Sequence, residues 1–396
     1  MSTKIQPASE PPPPLVPREW RMRLDPLLLL ATLGLIACSL IAIKGATVDD
    51  ADDPLFFVKR QTVYIAVGLV LMYGFSRLDY SRLRELRYPI YGLLIFGNLF
   101  ILAFAPETRG THAWIELPGF NLQFSEIGKV LLAVSLAGFV VERMREMGRQ
   151  TTARVMLLGL LPTMIVLAQQ DLGSATVYVA GTLAILFVAG APWRHFAGLV
   201  ALFVVAVTFV LVAAPKMGVE VLKPYQVDRL TSFLHPSESA NDAGYQQEQA
   251  RIAIGSGEKT GRGVEGATQT KLDFLPEHHT DFIYAVIGET YGFAGCALVL
   301  SLYALLIWRA LHILTIAKNL FGALIAGSIA MMLLYQLFVN IGMNVGIMPI
   351  TGVTAPLLSF GGSSMLSTFL ALGLLHSINA QARETSSSKG RAVYFQ

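Results

Sequence analysis

Glu277, His278, His279, Thr280 and Asp281 lead directly into the apolar stretch Phe282-Ile283-Tyr284-Ala285-Val286-Ile287-Gly288. Ionisable groups at the edge of a lipid-embedded helix are costly, and they mark substrate paths, proton relays or catalytic sites. A carboxylate there, partly withdrawn from water, can acquire the acidity that a general base for a hydroxyl needs. Asp281 is that candidate, with Glu289 about 12 Å deeper on the same helix face. Capping of the helix by Thr280 and Asp281 is the competing structural use. Glu277, His278 and His279 include metal-ligand types, but adjacent side chains on irregular backbone rarely converge on one ion, so no metal ligand is assigned.

Glu126 and Lys129 stand three apart where another apolar stretch begins, after Gly110-Thr111-His112-Ala113-Trp114-Ile115 and Leu122-Gln123-Phe124-Ser125. That spacing puts both on one helix face within ion-pairing reach. The pair is either structural, or it tunes Glu126 and meets an anionic ligand. Ser125 is the expected N-cap, and Glu126 suits the positive end of the helix dipole. Further along, glycines alternate with Arg229, Arg251, Arg262 and Lys271. Glycine-rich backbone beside Arg and Lys fits phosphate oxygens. The stretch is neither a Walker loop nor a dinucleotide fingerprint, so an ordinary loop stays open as the alternative.

Gln336, Asn340 and Asn344 repeat every four residues and form one polar stripe, the pattern of interhelical hydrogen bonding in membranes. Pro349 to Ser364 is apolar yet rich in Pro and Gly, as expected of a re-entrant loop lining a cavity. Asp49-Asp50-Ala51-Asp52-Asp53 resembles a DxD metal motif but reads as a solvated acidic turn.

The elements that must position these residues are membrane helices. Of 396 residues, 14% are charged and 54% hydrophobic, where soluble domains carry about 25% charged residues. A net charge of +3 gives no electrostatic ground for nucleic-acid binding. Cys38 and Cys296 lie in apolar runs and read as small core residues, not a disulfide. Ten apolar segments are predicted to span the bilayer, near 26–43, 57–75, 87–104, 126–141, 155–169, 173–190, 195–214, 281–308, 319–342 and 364–380. The expected fold class is therefore an all-α polytopic membrane protein of about ten transmembrane helices. A large extracytoplasmic loop, 215–280, separates the seventh helix from the eighth.

The membrane domain, 25–380, is expected between a Pro-rich disordered tail (1–24) and a second tail (381–396). The first span follows Arg18, Arg21 and Arg23 with no small-residue cleavage site and reads as an uncleaved signal-anchor. With the N-terminus inside, the inner segments hold eighteen Lys and Arg, against four in the short outer loops. Both termini are thus expected in the cytoplasm. Segments 105–125, 169–174, 215–280 and 343–363 then face out, which makes the working surface extracytoplasmic.

Six segments in chain order are similar to motifs of the SEDS family (shape, elongation, division and sporulation), the bacterial peptidoglycan polymerases that include RodA and FtsW. They are Gly110…Trp114-Ile115, Phe124-Ser125-Glu126-Ile127…Lys129, Gln170-Asp171-Leu172-Gly173, Ile252-Ala253-Ile254-Gly255-Ser256-Gly257, Leu275-Pro276-Glu277…His279-Thr280-Asp281-Phe282 and Pro349…Thr351-Gly352…Ser359-Phe360-Gly361-Gly362-Ser363-Ser364. The resemblance covers roughly residues 25–380. Gly266 to Phe274, and Thr351 where FtsW-like members usually carry Lys, are more similar to the RodA-like branch.

The resemblance implies a peptidoglycan glycosyltransferase of the bacterial cytoplasmic membrane, polymerising lipid II in a RodA-like role in cell elongation and shape. The 4-hydroxyl of an incoming disaccharide would attack the anomeric carbon of the undecaprenyl-pyrophosphate-linked strand, with inversion. Carried over by motif, Asp281 is the general base and Glu126 with Lys129 the functional pair. Trp114, His279, Thr280, Ser363 and Ser364 are implied substrate contacts, and Arg109, Arg229, Arg251 and Arg262 are candidate cations for the pyrophosphate. The implied partners are lipid II, the prenyl-linked glycan, membrane lipid and a class B penicillin-binding protein. No cofactor is fixed; a divalent cation (Mg or Mn) stays open.

Two positions depart from the family pattern: Ala113 stands where Arg is frequent, and Glu258 where Gly is usual. The alternatives are a lipid II flippase, an FtsW-like division polymerase, or a non-catalytic scaffold. Polar groups gathered at one face, rather than through the full membrane depth, speak against the flippase.

Overall fold

The computed structural model describes residues 24–47, 55–106, 111–117, 120–143, 148–208, 242–272, 274–275 and 277–393. Ten long helices coincide with the ten expected spans. The first seven are α1 (Pro26–Ala46), α2 (Phe56–Arg77), α3 (Arg87–Phe104), α4 (Phe124–Glu142), α5 (Arg149–Ala168), α6 (Leu172–Val188) and α7 (Trp193–Thr208). The described part of the long loop adds three helices that hydropathy does not mark: α8 (Asp242–Ser256), α9 (Gly263–Gly266) and α10 (Thr268–Lys271). The last spans are α11 (Ile283–Ile316), α12 (Leu320–Val345) and α13 (Gly362–Val393).

Seven of the helices, α1 to α5, α11 and α12, are long and apolar enough to cross a bilayer. At 17 residues α6 is shorter, but it packs on α4, α5 and α12 inside the bundle. The sequence of α13 turns polar in its second half, and this helix, like the 16-residue α7, is not among the seven. Small residues set the close approaches, as expected where lipid gives no hydrophobic drive between helices. A Cβ on Gly181 would lie 1.9 Å from Met332 of α12, and one on Gly68 2.0 Å from Phe369 of α13.

One short sheet was not foreseen. Strands β1 (Trp114–Leu117) and β2 (Phe120–Gln123) pair antiparallel, with Trp114 opposite Gln123. β2 delivers the chain straight into α4, whose N-cap position is the extended residue Gln123 with no side-chain cap. Ser125 is therefore not the expected N-cap. It lies inside the helix, and its Oγ donates to Asp171 Oδ2 at 3.0 Å across to the α5–α6 corner.

At the opposite, basic end, Asp25 caps α1, accepting from the N–H groups of Leu27 and Leu28. It is fully buried and also takes Arg309 Nε at 3.1 Å, Arg309 Nη2, and Arg383 Nη2 at 3.4 Å. Burial alone would raise its pKa, but hydrogen bonding and charge from Arg309, with Arg383, hold the carboxyl below its usual value. The sign follows: this stabilisation is present above the unfolded carboxylate pKa and is lost as pH falls through the depressed value. Asp25→Ala leaves a buried guanidinium without its partner and is expected to cost about 3–5 kcal/mol. A fall in the melting temperature of the detergent-purified protein would show it; an unchanged melting curve would mean that Arg309 finds water.

Candidate active site

The site is built around an irregular segment, 346–361, that dips into the bundle. α12 ends at Gly346, whose left-handed φ of 85° turns the chain. Beyond it, Val353, Ala355, Leu357 and Leu358 are buried. Non-helical backbone at this depth survives only when its polar groups are satisfied internally, and side chains from four helices do so. Asn340 donates to the Val353 carbonyl at 2.8 Å, Tyr303 to Pro356 at 2.7 Å, Ser39 to Leu358 at 2.7 Å and Gln61 to Ser359 at 3.2 Å. The stretch expected to be irregular from Pro349 to Ser364 is irregular only as far as Gly361, since α13 begins at Gly362.

Asp281 occupies the turn just before α11, not its first turn. Neither it nor Thr280 caps the helix: Phe282 holds the cap position without a side-chain bond, and Thr280 Oγ1 donates to Glu277 instead. The polar stripe holds the backbone of Asp281. Its carbonyl accepts from Asn340 Nδ2 at 3.0 Å and from Asn344 Nδ2 at 3.1 Å, while Asn344 Oδ1 takes the Ala285 N–H at 3.1 Å. Two members of the polar stripe thus orient the turn that presents this carboxylate, a task that helix periodicity alone assigned to interhelical contact. Asp281 Oδ2 lies 3.8 Å from the position of a Cβ on Gly352, so the carboxylate faces the irregular segment.

The same segment reaches the second constellation. A Cβ on Gly173, at the start of α6, would meet the Thr351 carbonyl at 2.7 Å. Asp171, at that corner, caps α6 by accepting from Ser174 N–H at 2.9 Å. It also accepts from Gln123 Nε2 at 2.7 Å and from Ser125 Oγ, so it ties the corner to the β2–α4 junction. One turn into α4, Lys129 Nζ and Glu126 Oε1 are 2.6 Å apart, each residue 5% exposed. Ser367 Oγ of α13 donates to Glu126 Oε2 at 3.3 Å. Each charge offsets the other, so the pair presents a polar wall rather than a bare cation.

The remaining candidates divide. Ser363 Oγ donates to the Asn121 carbonyl at 2.8 Å and accepts from Gln123 N–H at 2.9 Å, pinning the hairpin to α13. Ser364 Oγ is 2.9 Å from Thr354 Oγ1 within the same wall, and Trp114 opens the hairpin. His279 packs between Phe57 and Phe360, and its carbonyl accepts the Phe360 N–H at 3.0 Å. His278 is buried with Nδ1 2.9 Å from the Leu275 carbonyl. Arg251 on α8 pairs with Glu248 at 3.6 Å and covers Gly346. Arg262 lies elsewhere, on the turn after α8, donating through Nε to the Ser256 carbonyl at 2.9 Å. Arg109 and Arg229 lie outside the described residues.

Glu289 is not part of a charge path from Asp281. It is fully buried and accepts from Gln269 N–H, Thr270 N–H and Thr270 Oγ1 at 2.7–3.1 Å, anchoring α10 to α11. Gly257 sits so close to α11 that a Cβ there would be 1.8 Å from the Gly288 carbonyl. The long loop is thereby clamped onto the helix that follows Asp281.

Comparison with known proteins bears on this arrangement. The family profile FTSW_RODA_SPOVE, described as cell cycle protein, matches residues 22–384. A probable peptidoglycan glycosyltransferase FtsW of Thioalkalivibrio sulfidiphilus is 37% identical over 92% of this chain and 91% of its own length. The peptidoglycan glycosyltransferase MrdB of Escherichia coli is 35% identical over 93% and 96%. Among solved structures, a chain from a peptidoglycan synthase complex described as coordinating polymerization and crosslinking superposes with a TM-score of 0.77 at 30% identity, covering 91% of this chain and 99% of that one. The rod shape determining protein RodA of Thermus thermophilus superposes with a TM-score of 0.67 at 28% identity, covering 91% and 98%. Fold, motif order and relatives over nearly the whole length converge: this chain is a polytopic membrane protein belonging to the FtsW/RodA/SpoVE family, the SEDS proteins.

Proposed function

We propose that this protein is a peptidoglycan glycosyltransferase that polymerises lipid II at the outer face of the bacterial cytoplasmic membrane, with both termini in the cytoplasm. The observation that carries the reading is that one buried irregular segment packs against both the Asp281 turn and the α6 corner, where Asp171 bonds the Ser125 that precedes the Glu126–Lys129 pair. This occurs in a chain more than a third identical to two proteins named as peptidoglycan glycosyltransferases.

Asp281 serves as general base. It takes the proton of the acceptor 4-hydroxyl as that oxygen attacks the anomeric carbon, and the bond to the prenyl pyrophosphate breaks with inversion. Asn340 and Asn344 position the base through its own backbone. Lys129, buried against Glu126, lines the site with a polar surface that tolerates an anionic leaving group, and Arg251 stands at the rim for the pyrophosphate. The divided charge of a pyrophosphate needs such cations more than it needs a second acid.

The similarity to a chain of a synthase complex supports a crosslinking partner, here a class B penicillin-binding protein. Identities of 37% and 35% to FtsW and MrdB do not separate the division and elongation branches. The RodA-like assignment therefore rests on residues 266–274 and Thr351. The test is strand formation from labelled lipid II by the purified protein with its class B partner. Glycan strands are the expected product; lipid II crossing vesicles without any strands would replace this reading with a flippase.

A further inference from the structure

A second lipid-facing feature lies outside that site. α11 is broken at Gly292, where φ 62° and ψ −158° depart from helical geometry. The broken backbone is tied to the turn after α8: Phe293 N–H donates to the Glu258 carbonyl at 2.9 Å and Ala294 N–H to the Lys259 carbonyl at 3.1 Å. Beside the break, α1 and α11 leave an apolar cleft of about 350 Å³ between Cys38 and Ile41 on one side and Ile287, Tyr291, Gly295 and Val299 on the other. Packed membrane helices do not leave such a volume to vacuum; atoms of a lipid chain must fill it.

The outer mouth of the cleft is cationic. Lys44 and Gly45 follow Ile41 by three and four residues, on the same face of α1. Gly45 touches Val264, its Cβ position being 3.5 Å away, so the end of α1 abuts the turn that carries Lys259 and Arg262. Lys44, Lys259 and Arg262 are exposed there, with Glu258 as the opposing carboxylate on the turn. Glu265 is engaged by Lys271 at 2.7 Å.

We propose that this cleft binds a diacyl phospholipid with an anionic headgroup. Its phosphate lies between Lys44 and Lys259, and one acyl chain runs down between α1 and α11. Charge supports this occupant: the exposed Lys44, Lys259 and Arg262 outnumber the one opposing carboxylate, Glu258. Juxtamembrane Lys and Arg attract anionic lipid in the same way at other membrane surfaces.

The test is native mass spectrometry of the full chain in detergent, titrated with phosphatidylglycerol or with phosphatidylcholine of the same chains. The wild type is expected to retain phosphatidylglycerol about thirtyfold better, the size of effect that two surface cations produce. Lys44→Gln with Lys259→Gln should remove that preference while leaving the melting curve intact. Ala294→Trp, which fills the cleft from its lipid-exposed side, should reduce retention of both lipids. Equal retention of the two lipids by the wild type, or unchanged phosphatidylglycerol binding in both variants, would overturn the proposal. So would undecaprenyl phosphate binding that Ala294→Trp abolishes while phosphatidylglycerol binding persists. Loss of strand formation in wild type would strike the proposed activity and leave this lipid site standing.

Discussion

Asp281→Ala is expected to abolish strand formation from lipid II while leaving the protein folded and bound to its partner. Loss of a positioned general base removes about 10²–10⁴ of rate, which takes a slow polymerase below detection on a gel of labelled glycan. The fold should survive for a structural reason. Asn340 and Asn344 bond the Asp281 carbonyl, a main-chain group that stays when the side chain is truncated. Asp281→Asn separates shape from proton transfer, since it keeps the volume and removes the base. Both variants should melt as wild type does and yield no strands. Strands of normal length from either would sink the assignment of Asp281.

The second large effect is expected at the buried pair. Lys129→Ala leaves the Glu126 carboxylate almost wholly buried with only the weaker contact to Ser367, and breaking such a pair costs about 3–5 kcal/mol. Activity and stability should therefore fall together in this variant, which by itself proves nothing about catalysis. The double variant Glu126→Gln with Lys129→Met resolves the ambiguity. Replacing both charges by neutral groups of similar size is often close to neutral for stability, so the melting temperature should return most of the way. Strand formation should stay low, because the site has lost its charged wall. Wild-type rates in the double variant would reduce the pair to a packing feature.

Much of the architecture was legible in the chain because a bilayer imposes a simple rule. Spans must be apolar over about 20 residues and satisfy their own backbone, so the apolar segments of the sequence fall on the long helices, seven of which meet that length and hydropathy. The Glu126–Lys129 pairing was equally accessible, since i,i+3 spacing on a helix is local geometry. The clustering of polar segments at one end followed from charge counting along the chain.

Other features depend on contacts between residues far apart in sequence, and no local pattern encodes them. The hairpin over 114–123 forms because Ser363, 240 residues on, anchors its second strand. That anchoring makes Gln123 the entry to α4 and takes Ser125 away from the capping role its residue type suggests. The stripe at Asn340 and Asn344 was visible by period, yet its partner, the Asp281 carbonyl 59 and 63 residues away, could not be read from the period. Glu289 was expected below Asp281 on one helix face; α10 folds back over it and takes both of its oxygens. The break at Gly292 and the cleft beside it arise because the turn after α8 supplies carbonyls to two N–H groups that a straight helix would have satisfied itself. Membrane helices are properties of short stretches in a fixed solvent, and so the chain alone marked them. Which carboxylate is presented and which is sequestered was decided only when distant segments competed for the same buried hydrogen bonds.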